Sequence, residues 1–398
     1  MAVAAELRPR LAMYAIALRR KLAILLTGDF DPYPPPPAGI SLSPYERDRA
    51  EAEAAPCALS WANSGGDVRA WQDAARAKLA GLAGWRRQGA LPARSRSGFA
   101  SAEAGPPEAI VRDELAPARH GLNHVRSYLR VRASADVPVH VLWHPAQHWP
   151  APAMICLQGT NAGAHLGWGE ARMPPDPVKI AAGLDFALQA AARGFVALCI
   201  EQRCFGERRE RILAPRSADP CVDAVMHALL LGRTLIGDSA GDVSAVIDWV
   251  DAGGPGLDLD RARIYALGHS WGGTVALYAA ALDTRIAGVI ASGCVGPIRD
   301  TVAARRAPSG QNVIPGLLDW LELADVLALC APRPLLAVSG RADHIFPFNG
   351  AERAVAAALP VYRALDAARR LRALALPGGH RFAPEAIWPA FESLIADG

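Results

Sequence analysis

The sequence predicts an α/β fold, a doubly wound and mostly parallel sheet of eight strands with helices on both faces, following a mainly helical N-terminal extension. Two features predict it. From about residue 123 onward, continuous apolar runs alternate with helical patterns, which is how successive βαβ units read. In Ile264-Tyr-Ala-Leu-Gly-His-Ser-Trp-Gly-Gly-Thr-Val-Ala-Leu-Tyr278 an apolar run meets Gly268, Ser270, Gly272 and Gly273 and passes at once into a helical pattern. That is strand, sharp turn, helix, with small residues where the two elements must approach closely.

Residues 1–122 form the expected extension. Leu7, Leu11, Tyr14, Leu18, Leu22 and Leu25 recur at intervals of three and four, the stripe of an amphipathic helix lying on a partner surface. Arg19-Arg20 before a short apolar run resembles an export signal, but the run ends at Thr27-Gly28-Asp29 and prolines follow where a cleavage site would stand, so a docked helix is the preferred reading. Residues 44–58 and 67–82 also read as helical; Trp71, Ala75, Leu79 and Leu82 share a face, and Gly84 is placed to end the second. The stretch 89–107 lacks periodicity and reads as a loop. Lid and scaffold are both open roles for this extension, and its helices are a candidate homodimer interface.

The expected catalytic domain spans 123–398. Runs at 125–131 and 137–143 alternate with period two and suggest an antiparallel pair. Those at 153–157 and 195–200 are apolar throughout, as suits strands buried on both faces. Between them Asp176 is placed to cap a helix with Pro177 at its first position, Ile180, Leu184, Leu188 and Ala191 on its buried side and Gly194 after its end. A helix at 242–250 leads to the strand before Ser270, and runs at 286–291, 334–339 and 371–376 complete the eight.

Composition excludes several partners. With 42 basic and 39 acidic residues the net charge is +3, too near balance to steer toward nucleic acid. Nothing is apolar over enough length to span a bilayer. Seven cysteines form no Cys-x-x-Cys pair and no zinc spacing, which fits a reducing cytoplasm.

A serine hydroxyl is a poor nucleophile and needs a base, with a carboxylate to orient that base. Asp343 follows the run 334–339 and His380 follows 371–376, both past the carboxyl end of a strand, where ligands bind in open α/β sheets. Ser270, Asp343 and His380 are the expected catalytic set. Asp319 and Asp325 are rival acids but fall in a helical run, and His344 adjoins Asp343 too closely to be oriented by it. A developing oxyanion requires two backbone N–H groups. Trp271 supplies one, and the loop Gln158-Gly159-Thr160-Asn161 the other, with Thr160 favoured over Asn161. Asn161, Trp168 and Phe346 are candidate substrate contacts. Glu201, Arg203, Glu207 and Arg208 read as an ion-pair network fixing the loop after the fourth predicted strand.

Gly-His-Ser-Trp-Gly-Gly with Asp343 and His380 resembles the α/β-hydrolase superfamily. Leu157-Gln-Gly-Thr, Ile200-Glu-Gln-Arg-Cys-Phe-Gly-Glu-Arg208, Ala281-Leu-Asp-Thr-Arg-Ile286 and Ala331-Pro-Arg-Pro-Leu335 resemble, more narrowly, its dienelactone hydrolase and acetyl xylan esterase-like branch. The resemblance covers roughly residues 123–395 and implies a serine hydrolase acting on small-molecule carboxylic esters, with no cofactor and no metal. Where many relatives carry His-Gly, this chain has Gln158-Gly159. Cleavage of a carbon-carbon bond in a diketone or aryl ketone is the enzymatic alternative, an aminopeptidase a weaker one, and a binding protein of the same fold without turnover the alternative from another class.

Overall fold

The computed structural model describes residues 19, 22, 26, 36–85, 106–131, 136–160, 163–210, 220–304 and 310–396. The chain divides into two compact units, residues 1–50 and 51–398. The expected docked helix carrying Leu7 to Leu25, and Asn161, lie outside the described residues apart from Leu22. Among the described residues no helix is long and apolar enough to cross a membrane.

Among the described residues, nine strands form one sheet: β1 (Glu108–Glu114), β2 (Asn123–Arg130), β3 (Val137–Trp143), β4 (Ala151–Leu157), β5 (Val196–Ile200), β6 (Leu259–His269), β7 (Ile286–Ser292), β8 (Leu335–Gly340) and β9 (Leu371–Leu376). Their order is β1-β2-β3-β5-β4-β6-β7-β8-β9. Pairings from β1 to β5 are antiparallel, and those from β5 through β4 to β9 are parallel. All eight expected strands are present. The ninth, β1, corrects the expected boundary: the sheet begins inside the stretch read as a helical extension, before residue 123.

The parallel centre is buried on both faces, as its unbroken apolar runs require. Along β4, Ala153, Ile155 and Leu157 enter the core on one face, whereas Met154 and Cys156 enter the core on the other. The first core also takes Trp71, Ala75, Leu79 and Ala83 of the helix Val68–Ala83, so this part of the extension packs into the core. Asp67 caps that helix by accepting from the N–H groups of Arg69 and Ala70, and Gly84 ends it at φ 64°. Ala83, rather than the expected Leu82, completes the buried stripe. Gln72 donates to the carbonyls of Ala328 and Ala331, and Arg76 to those of Ala281 and Leu329, which ties the helix to carbonyls at the ends of other elements.

The single helix expected between β4 and β5 is two, Asp176–Ala181 and Phe186–Ala191. Gly183 lies between them at φ 84°, where the chain turns left-handed. Asp176 does not cap the first helix; its carboxylate meets His165 Nε2 at 2.8 Å and accepts from the N–H groups of Arg172 and Met173.

The network read from Arg203 and Arg208 closes on an aspartate of the helix Leu235–Asp251. Arg203 Nε and Nη2 lie 2.8 and 2.7 Å from the Asp242 carboxylate, and Arg208 Nη1 lies 2.7 Å from it. Asp242 is only 3 % exposed. Burial acts most strongly on it and raises its pKa, but the two guanidinium groups outweigh that and hold it below the usual carboxylate range.

Candidate active site

Strand order decides what meets what at the carboxyl edge. Because β5 and β6 flank β4, the loops after β5 (Glu201), β4 (Gln158 to Thr160) and β6 (Ser270) emerge side by side. Further along the same edge, β8 and β9 deliver Asp343 and His380. Their loops are joined by backbone hydrogen bonds from Arg341 to Leu376 and from Ala342 to Gly378.

Ser270 sits at φ 57°, ψ −125°, a conformation costly for any residue with a Cβ and one that persists only when its surroundings enforce it. They do so by close approach. A Cβ at Gly268 would lie 2.1 Å from the Gly272 carbonyl, and one at Gly272 would lie 2.1 Å from the carbonyl oxygen of Leu157. The Ser270 N–H donates to the Ser292 carbonyl at 2.7 Å, anchoring the turn to β7. Gly272→Ala is therefore expected to destabilise the fold by about 1–3 kcal/mol through overpacking against backbone. Gly81→Ala, on an exposed helical surface with nothing within 4 Å of the new Cβ, is expected to stabilise by about 0.4–1 kcal/mol. Urea midpoints of the two variants against wild type check both signs.

His380 Nδ1 lies 2.7 Å from Asp343 Oδ2. An ionised carboxylate only accepts, so Nδ1 carries the proton and Nε2 is left for a second partner. The other carboxylate oxygen, Oδ1, accepts from the N–H groups of Ile345 at 2.8 Å and Phe346 at 2.9 Å. Burial is the largest influence on Asp343 and raises its pKa; the bonds from His380, Phe346 and Ile345 overcome it and keep the group below the usual carboxylate range.

The His380 ring lies 4.7 Å from that of His269, the residue before Ser270. Gly293 fits between them, since a Cβ there would be 2.8 Å from His269 Cε1 and 3.0 Å from His380 Cε1. His269 Nδ1 is 3.0 Å from Ser292 Oγ. Burial, and then the neighbouring His380, pulls its pKa down to about 3, so it is a neutral wall beside His380.

On the other side of Ser270, Gly159 comes close enough that a Cβ would lie 3.4 Å from the serine Cβ and 3.2 Å from the His269 carbonyl. Thr160 Oγ1 accepts from Gln311 Nε2 at 2.8 Å. Trp271 opens the helix Trp271–Leu282, where first-turn N–H groups have no partner within the helix. Phe346 stacks 6.4 Å from the His380 ring, near the expected catalytic set. Trp168 belongs to a different cluster: its ring stacks on His140 at 4.1 Å and its indole N–H donates to Glu170.

The rival acids have other partners. Asp325 accepts from Ser60 Oγ and the N–H groups of Trp61 and Glu322, and Asp319 ends a short 3₁₀ turn. Among the described residues, no group of three or more His, Cys, Asp or Glu side chains is arranged to hold a metal ion.

Glu201 has a part that sequence reasoning assigned only to a charge network. It is 1 % exposed, and its carboxylate accepts from Gln158 Nε2 at 2.8 Å, Ala164 N at 3.1 Å and Glu207 N at 3.2 Å. Burial, opposed by the Glu207 and Ala164 N–H groups, pushes its pKa up to about 7. A carboxylate directly after a strand was visible in the sequence; that β5 neighbours β4 was not.

Comparison with solved structures decides the fold. A Bacteroides fragilis structure described as a "putative acetyl xylan esterase" superposes with a TM-score of 0.64 at 18 % identity, covering 85 % of this chain and 83 % of that one. The glucuronoyl esterase of Solibacter usitatus gives 0.57 at 16 % identity, covering 83 % and 93 %. The fold is that of the α/β-hydrolases. In sequence, the chain is 25 % identical over 239 residues to "Putative hydrolase YtaP" of Bacillus subtilis (strain 168), spanning 58 % of this chain and 73 % of that protein. No family model matches.

Proposed function

We propose that this α/β-hydrolase-fold chain hydrolyses carboxylic esters through an acyl-enzyme on Ser270. The observation that carries the proposal is the strained φ 57° of Ser270, held by close backbone approach on a turn beside Gly159, with the His380 ring 4.7 Å from that of the preceding His269. Nothing structural is gained from such strain, whereas an exposed hydroxyl at a sheet edge is what acyl transfer needs.

In this reading His380 Nε2 accepts the Ser270 proton as Oγ attacks the ester carbonyl, then donates it to the leaving alcohol. Water, deprotonated by the same nitrogen, releases the acid. Asp343 holds the Nδ1–H tautomer and stabilises the imidazolium. The N–H groups of Trp271 and Thr160 receive the oxyanion. Phe346 borders the acyl group. Neighbours named as acetyl xylan and glucuronoyl esterases make sugar acetates and uronate esters the first substrates to try, ahead of dienelactones.

A fluorophosphonate probe is expected to label wild-type protein once, on the peptide bearing Ser270, and to leave Ser270→Ala unlabelled, as read by mass spectrometry. Label on another residue, or ester turnover retained in the alanine variant, sinks the proposal.

A further inference from the structure

We propose that Glu201 is a positioning residue for reaction at Ser270, clasping the two sides of the loop that presents the Thr160 N–H. The inference rests on the reading of Ser270 and Thr160 given above and extends it to a side chain outside the reacting set.

Glu201 Oε1 takes one hydrogen bond from the side chain of Gln158, immediately before Gly159 and Thr160, and one from the backbone N–H of Ala164, beyond them. Oε2 takes the N–H of Glu207. One carboxylate thus fixes the entry and the exit of the loop and joins both to its own. Gln202 Nε2 adds a bond to the Gln158 carbonyl, so the adjacent residue holds the backbone of the same position.

The seat of the carboxylate is closely fitted. At Gly206, φ 46°, an added Cβ would fall 2.0 Å from Glu201 Oε2, so the second loop wraps directly over the carboxylate. Arg208 Nη1 donates to the Glu201 carbonyl and to Asp242, which fixes the backbone that carries it. Three N–H donors converge on two oxygens that have no proton to offer when ionised. A neutral amide of the same shape brings one acceptor oxygen and sets an NH2 against at least one of those donors. In Glu201→Gln the amide oxygen takes the Oε1 place, where two donors meet it, and the NH2 is set against the Glu207 N–H at the closely fitted Oε2 seat. Relieving that clash shifts the side chain and with it the Gln158 and Ala164 anchors, and an oxyanion donor displaced by tenths of an ångström loses its value in the transition state.

The test is Glu201→Gln, assayed on an activated acetate ester at pH 8, so that the carboxylate is ionised although burial pushes its pKa up to about 7. Active sites are counted by fluorophosphonate titration, so that loss of folded enzyme is not read as loss of rate. The expected result is a fall in kcat per titrated site of about 10²-fold with KM within about threefold, the pattern of an interaction made only in the transition state. Gln158→Met removes one arm of the clasp and leaves the carboxylate in place; it is expected to lower kcat about tenfold, on the order of one lost hydrogen bond to a charged group. Wild-type kcat per site in folded Glu201→Gln overturns the proposal. Should that variant not fold, wild-type kcat in Gln158→Met overturns it instead. Ser270→Ala run in parallel separates the two readings: if it still hydrolyses the ester, the role of Ser270 is wrong; if it is inactive while both clasp variants are at full rate, only the role of Glu201 is.

Discussion

Asp343→Asn is expected to lower kcat by about 10⁴-fold with the fold intact, because the substitution reverses the direction of one hydrogen bond. Asp343 Oδ1 is committed to two backbone donors, Ile345 N–H and Phe346 N–H. In the variant, the amide oxygen must take that position, since an NH2 there would face two donors. The NH2 then stands at the Oδ2 position, 2.7 Å from His380 Nδ1, and donates to it. Nδ1 becomes an acceptor, the ring proton moves to Nε2, and the nitrogen that should deprotonate Ser270 is already protonated. Steady-state kcat on an ester substrate, with circular dichroism to verify folding, checks this. A rate within tenfold of wild type would show that His380 does not depend on Asp343 for its tautomer.

Much of the fold was legible because a strand buried on both faces must be largely apolar: β4 and β5 are so throughout, and β7 and β8 up to Ser292 and Ser339. The strand that went unread, β1, is an edge strand: six of its seven residues are exposed or charged, among the described residues it pairs with β2, and it needs no apolar face of its own. Its stability comes from the free edge it completes, which no local pattern records. The break at Gly183 was missed for the opposite reason. The apolar positions from Ile180 to Ala191 fit one helix, and only packing, where a Cβ at Gly183 would fall 2.7 Å from Pro384 Cδ, shows that the chain must turn there.

At the candidate site, Ser270, Asp343 and His380 were proposed from the sequence because each is a polar residue on the turn or loop that follows an apolar run, and the run fixes which edge of the sheet it reaches. What the sequence leaves open is lateral order. The insertion of β5 between β3 and β4 brings Glu201 against Gln158 across 43 positions. Gln311 reaches Thr160 from a turn 151 positions away. Glu201 stands in a motif and in a run of charges, neither of which names Gln158 as its partner, and Gln311 belongs to no pattern at all.

The largest stability effect is expected at Asp242. Asp242→Asn leaves the side-chain volume unchanged and removes the negative charge facing Arg203 and Arg208, so Arg208 loses its carboxylate partner and Arg203 is left with Asp238, 3.8 Å away, in a site from which water is excluded. Breaking a buried pair by removing one partner costs about 3–5 kcal/mol, a large share of the 5–15 kcal/mol by which folded domains of this kind are typically stable. Asp260→Asn is the surface counterpart. Asp260 lies 2.6 Å from Arg263, whose side chain is 48 % exposed, and the expected loss is no more than about 1 kcal/mol. Urea unfolding of both variants at pH 7 separates a buried counter-ion from a solvated one of similar geometry. Acid gives a second check on the sign. A carboxylate whose folded pKa is depressed contributes stability above its unfolded value near 3.8, and that contribution is lost as pH falls through the lower folded value. The gap between wild type and Asp242→Asn should hold steady from pH 7 to about pH 5 and narrow below about pH 4, as protonation makes the wild-type carboxyl as neutral as the amide. A gap that stays constant to pH 2 would mean that the variant loses packing rather than charge.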